Sequence, residues 1–97
     1  MKIVREALAG TMESSDLMVK IAPTEEGLEV VVYSEVMKQF GDQILQVVNT
    51  TLRVMEIDQG LIVIEDKGAL DCVIRARLQS AILRATEQTE INWEKLL

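Results

Sequence analysis

The chain contains no histidine. That removes the usual general base at neutral pH and the commonest metal ligand. Neither a Ser-His-Asp nor a Cys-His site can be assembled within it. Cys72 is the single cysteine, so no intramolecular disulfide forms and nothing points to an oxidising compartment. Aromatic residues are limited to Tyr33, Phe40 and Trp93, which makes the core aliphatic. There is one proline, Pro23, and no low-complexity segment or convincing repeat. No apolar run reaches the length of a membrane span. Arg5 and Glu6 interrupt the start, where a signal peptide would need apolar residues. These absences predict a cytoplasmic protein.

Positive charge is also scarce. Ten basic residues face 16 acidic ones, for a net charge of −6. Phosphate backbones and acidic membrane surfaces would be repelled on average, so nucleic-acid and membrane binding are not expected. What remains is a chain of 97 residues, 48% hydrophobic, which fits one domain over 1–97 with a small core.

Residues 4–13 read as extended, with a short helix at Val4–Leu8 as the rival. In "DLMVKIA" Leu17, Val19 and Ile21 alternate with Met18 and Lys20, which predicts a strand. Ser14–Asp16 then lie at a turn between two strands. Pro23 opens a second turn and Gly27 closes it. "LEVVVYS" is β-branched enough to be a strand. Ser34 is a suitable N-cap for a helix over roughly 35–56. There Val36, Phe40, Ile44, Val47, Val48, Thr51 and Met55 recur at helical spacing. Gly41, worth about 1 kcal/mol against the helix, does not overturn a stripe of that length. "LIVIE" predicts a strand, and "DKG" at 66–68 a hairpin loop. "ALDCVIRA" then returns as a strand to about 76, with Leu70, Cys72, Ile74 and Ala76 on one face. A helix follows over about 77–87. The competing reading starts that helix at Ala69. The expected fold is α+β, in the order β-β-β-α-β-β-α: a small sheet of about five strands with two helices on one face.

Few side chains offer chemistry. Ser14 and Ser15 sit between Glu13 and Asp16 with no base in view, and turn serines are ordinary. A serine modified by another enzyme, however, needs exposure and no base of its own. Cys72 falls on the face of Leu70 and Ile74 and reads as a small buried residue. Glu65, Asp66 and Asp71 match no calcium loop and read as solvated turn acids. Arg75 and Arg77 can bind phosphate or pair with surface acids, the second being the expected use. The tail "EINWEKLL" carries Ile91, Trp93, Leu96 and Leu97 beyond the last helix. It either folds back on the domain or, over 88–97, docks a partner through Trp93. Composition and spacing thus reach a small acidic α+β domain without catalysis of its own. No residue reads as catalytic or as a metal ligand.

Three stretches go further. "AGTMESSDLMVKIAP" at 9–23, "KQFGDQI" at 38–44 and "DKGALDCVIRAR" at 66–77 together resemble the citrate lyase gamma subunit family, the citrate lyase acyl carrier proteins. The related malonate decarboxylase acyl carrier subunit is the alternative, and a non-catalytic adaptor is the alternative from another class. The resemblance covers nearly the whole chain. It implies that Ser14 covalently carries 2'-(5''-phosphoribosyl)-3'-dephospho-coenzyme A through a phosphodiester. The position after that serine, Ser15 here, is often glycine in such relatives. The thiol of that arm would hold acetyl and citryl thioesters while citrate is cleaved to acetate and oxaloacetate. The implied partners are an alpha subunit that exchanges the acyl group, a beta subunit that cleaves citryl, and a prosthetic-group transferase. "SSDLM" differs from the Asp-Ser-Leu of ordinary acyl carriers, because here the serine precedes the aspartate.

Overall fold

The computed structural model describes residues 1–35 and 37–86. Val36 and the tail at 88–97 lie outside the described residues, and with them the expectations about that helical position and about Trp93. The described chain forms β1 (Ala7–Gly10), β2 (Leu17–Ala22), β3 (Leu28–Ser34), α1 (Met37–Val54), β4 (Gly60–Asp66) and α2 (Asp71–Ala85). The strands make one sheet in the order β1-β2-β4-β3. β2 is antiparallel to both β1 and β4, while β3 and β4 run parallel. The parallel pair follows from the connection: α1 carries the chain back across the sheet between them.

Alternation in β2 sets the register. Val19 lies opposite Ile64, and Ile21 opposite Ile62. Val30 and Val32 of β3 align with the same two isoleucines. Both helices cover this one face. α2 packs on β1 and β2, and α1 packs on α2 and β3. Ile44, Val48 and Leu52 from α1 and Met55 just beyond it, with Ile74, Leu78, Ala81, Ile82 and Ala85 from α2, join Leu17, Val19, Ile21, Ile62 and Ile64 in a single core. The opposite face exposes Leu8, Lys20 and Tyr33, with Lys20 paired to Glu65 at 3.3 Å.

The expected α+β architecture with two helices on one face is present, with four strands instead of about five. The difference lies at 69–76. The side chain of Asp66 accepts the Ala69 N–H at 2.9 Å, and Gly68 adopts φ +89°. The chain turns out of the sheet there and enters α2 at Asp71, two residues after the start given by the competing helical reading. Of the proposed strand face only Ile74 is buried. Leu70 is 71% exposed, and Cys72 and Ala76 are exposed too. The helix wins because its stripe continues through Ala85, burying five side chains, whereas the alternation stops at Ala76. Phe40, read into the stripe of α1, is 50% exposed.

Cys72 is therefore a surface thiol, not a core residue. Cys72→Ala is expected to change stability by less than about 0.5 kcal/mol in urea denaturation, as surface substitutions generally do. A buried thiol would cost about 1–3 kcal/mol. A loss in that upper range would contradict the exposed placement.

Candidate functional site

One end of the sheet gathers the loops. Leu17 begins β2 opposite Asp66 at the end of β4, and Asp66 aligns with Ser34 at the end of β3. The β1–β2 turn, the β3–α1 connection and the β4–α2 loop therefore meet at this end. Asp66 ties two of them together. It is only 2% exposed, accepting from the Ser34 hydroxyl at 2.8 Å and from the Ala69 N–H at 2.9 Å. It is thus not the solvated turn acid that its sequence neighbourhood suggested. Asp71 is exposed and accepts from the Gln43 side-chain amide at 3.0 and 3.1 Å. Among the described residues no three His, Cys, Asp or Glu side chains come together to hold a metal.

Ser14 stands at the tip of this end. The Asp16 N–H donates to the Glu13 carbonyl at 3.2 Å, closing a turn with Ser14 and Ser15 at its centre. Ser15 has φ +65° while Ser14 does not share the positive φ. That is the pattern of a type II turn, whose third position favours glycine. The two serines therefore differ in role. Ser15 takes the strained backbone position, and its N–H donates to the Lys67 carbonyl at 2.8 Å. Ser14 is exposed, and its hydroxyl has no hydrogen-bond partner among the described residues. No base is hydrogen-bonded to this hydroxyl among the described residues, so none is in place there to activate it as a nucleophile.

Asp16 holds the turn in place. Its Oδ1 accepts the Leu17 N–H at 2.8 Å and Arg77 Nε at 3.1 Å. Its Oδ2 accepts the Thr11 hydroxyl at 2.6 Å and Arg77 Nη2 at 2.9 Å. The carboxylate is saturated, and the guanidinium meets it in the fork-to-fork geometry that makes such pairs strong. The Lys67 N–H donates to the Asp16 carbonyl at 2.9 Å, so the β4–α2 loop braces the turn from the other side. Lys67 in turn pairs with Glu35 at 3.0 Å.

The Thr11 hydroxyl, then Arg77 and the Leu17 N–H, lower the Asp16 pKa from 3.8 to about 2. The side chain is 14% exposed, so solvent screens these contacts only in part. A carboxylate depressed on folding stabilises the protein above its unfolded pKa, and that contribution is lost as pH falls through the folded value. The contribution is fully present at neutral pH and drains between roughly pH 4 and pH 2. Asp16→Asn is expected to remove this part of the acid dependence in urea titrations at successive pH values. An unchanged acid limb in the variant would contradict the assignment.

The sequence located the turn and both serines but missed the clamp. It named Asp16 only as a neighbour of the serines, and the residue is half-buried. It expected Arg77 to pair with an acid, yet the acid stands 61 residues away and no local pattern connects the two. The one available signal was Thr11, five residues before Asp16 across the turn.

Residues 4–85 match the family model described as "Malonate decarboxylase delta subunit (MdcD)". The chain is 72% identical over 96 residues to the citrate lyase acyl carrier protein of Enterobacter sp. (strain 638), covering 99% of both chains. It is 69% identical to that of Cronobacter sakazakii, again over 99% of both. It is 52% identical to citrate lyase acyl carrier protein 2 of Salmonella typhimurium, over 99% of this chain and all of the relative.

Proposed function

Because the chain belongs to the citrate lyase acyl carrier protein family, as a carrier subunit and not a catalyst, we propose that Ser14 is its attachment point for a thiol-ended prosthetic arm. The observation that carries this reading is the exposed Ser14 hydroxyl, unpartnered among the described residues, at the tip of a braced turn. Ser15 is the poorer acceptor because it is committed to a left-handed backbone position. The arm is 2'-(5''-phosphoribosyl)-3'-dephospho-coenzyme A, joined through a phosphodiester. When bound it supplies a mobile thiol that carries acetyl and citryl groups during cleavage of citrate to acetate and oxaloacetate.

The chain's own contribution is position. It presents the acceptor oxygen to a prosthetic-group transferase, and afterwards holds the base of the arm between an alpha subunit, which exchanges the acyl group, and a beta subunit, which cleaves it. Tethering keeps the acyl group at a high effective concentration at both sites. The segment 88–97, with Trp93, is proposed to dock these subunits. The setting is cytoplasmic. None of the described helices is long and apolar enough to cross a membrane.

The test is peptide mapping by mass spectrometry of protein from its native host. The expected result is a large phosphodiester-linked adduct on Ser14 and none on Ser15. A protein without an adduct would favour an adaptor. Co-purification with malonate decarboxylase subunits would favour that enzyme's carrier.

A further inference from the structure

The hydroxyl of Ser14 is exposed and has no hydrogen-bond partner among the described residues, so no such bond of its own fixes it and its location follows from the backbone of the turn. That backbone includes Ser15 at φ +65°, a conformation that a non-glycine residue adopts only under strain. Such a residue persists only where its surroundings over-determine it. On one side the Lys67 backbone braces it, accepting the Ser15 N–H and donating to the Asp16 carbonyl; on the other, side chains hold it. The turn's entry is held by Thr11 and its exit by Asp16, and the two side chains bond each other at 2.6 Å. Arg77, projecting from α2, grips the same carboxylate with two N–H groups at 3.1 and 2.9 Å. The helix is anchored in the core by Ile74, Leu78 and Ala81 on either side of that arginine. A rigid element therefore reaches across to the base of the turn.

We infer that the Asp16–Arg77 pair, completed by Thr11, positions Ser14 for modification. This rests on the reading of Ser14 as the attachment residue and adds to it the residues that aim it. An attacking oxygen displaced by about 1 Å can cost on the order of a hundredfold in rate. A turn released from α2 keeps its exposure but loses its fixed place. The modifying enzyme still meets the carrier's outer surface, so binding persists while the transfer step slows. Arg77 and Asp16 are positioning residues in this scheme, since neither is the acceptor.

The experiment measures initial rates of arm transfer against carrier concentration, using the native host's attachment enzyme and a donor whose arm ends in a polyphosphate: the Ser14 oxygen bonds to the phosphorus nearest the arm, the remaining polyphosphate leaves, and the hydroxyl proton passes to solvent. Intact mass follows the product, below each variant's unfolding transition. Arg77→Ala is expected to lower kcat by about tenfold or more while KM stays within about twofold. Arg77→Lys, which keeps the charge without the fork, is expected to recover part of the loss. A purely structural arginine would lower Tm and leave the kcat of the folded carrier unchanged. Should Arg77→Ala not fold, Arg77→Lys and Thr11→Val, each removing only part of the clamp, are expected to lower kcat in the same direction. Wild-type kcat in these folded variants, with the adduct mapped to Ser14, overturns the positioning role and leaves the attachment reading standing. An adduct mapped to any other residue overturns both.

Discussion

A Ser14→Ala variant is expected to fold, to assemble with its partner subunits, and to carry neither adduct nor acyl group. The substitution removes one exposed oxygen, which has no hydrogen-bond partner among the described residues. Stability should stay within about 0.5 kcal/mol of wild type, as for other surface positions. Function should be lost completely, because no other part of the site offers a replacement oxygen in the same place. Ser15→Ala is expected to remain modified, and Ser15→Gly to be modified and slightly more stable. Glycine relieves the left-handed strain at that position. The pair of expected results would separate the two hydroxyls: one would supply the bond, and the other sits where the turn needs its backbone. Intact mass and acyl loading of the three purified variants decide it. A loaded Ser14→Ala protein would transfer the role to Ser15 or elsewhere.

Gly10→Ala should be the most destabilising single-methyl change near the site. Gly10 ends β1 at φ +96°, and a Cβ built there would run into the backbone carbonyl of Leu17. That carbonyl accepts the Thr11 N–H at 3.1 Å, the bond that closes the neck of the turn. It belongs to the backbone and cannot swing aside like a flexible side chain. The strands would have to separate, releasing Thr11 from its place beside Asp16. A loss of more than about 3 kcal/mol is expected, combining backbone strain with the broken ladder. Gly68→Ala is the control. Gly68 has φ +89° but open space around the missing Cβ. Its cost should be the conformational strain alone, about 1–2 kcal/mol. Equal urea midpoints for the two variants would show that the approach of Leu17 to Gly10 carries no weight.

Much of this protein is legible along the chain. Alternation of Leu17, Val19 and Ile21 announced β2, and the valines of 28–34 announced β3. The stripe through Ile44, Val48, Thr51 and Met55 announced α1. Paired serines between two predicted strands marked an exposed turn, and the family resemblance singled out Ser14. These features are local, repeating within a few residues, so the order of residues is enough to state them. The start of α2 was not decidable in that way. Leu70, Ile74 and Leu78 are spaced by four, which suits a strand of period two nearly as well as a helix of period 3.6. Only the packing of Ala81, Ile82 and Ala85 beneath the sheet chose the helix, and with it the exposure of Cys72. The clamp on the turn belongs to the same class. Asp16 meets Arg77 because α2 crosses behind β1 and β2, a consequence of folding that no spacing in the chain expresses. Local periodicity therefore set the elements and placed the paired serines at a turn. Long-range packing decided where the last helix begins and what holds the serine still.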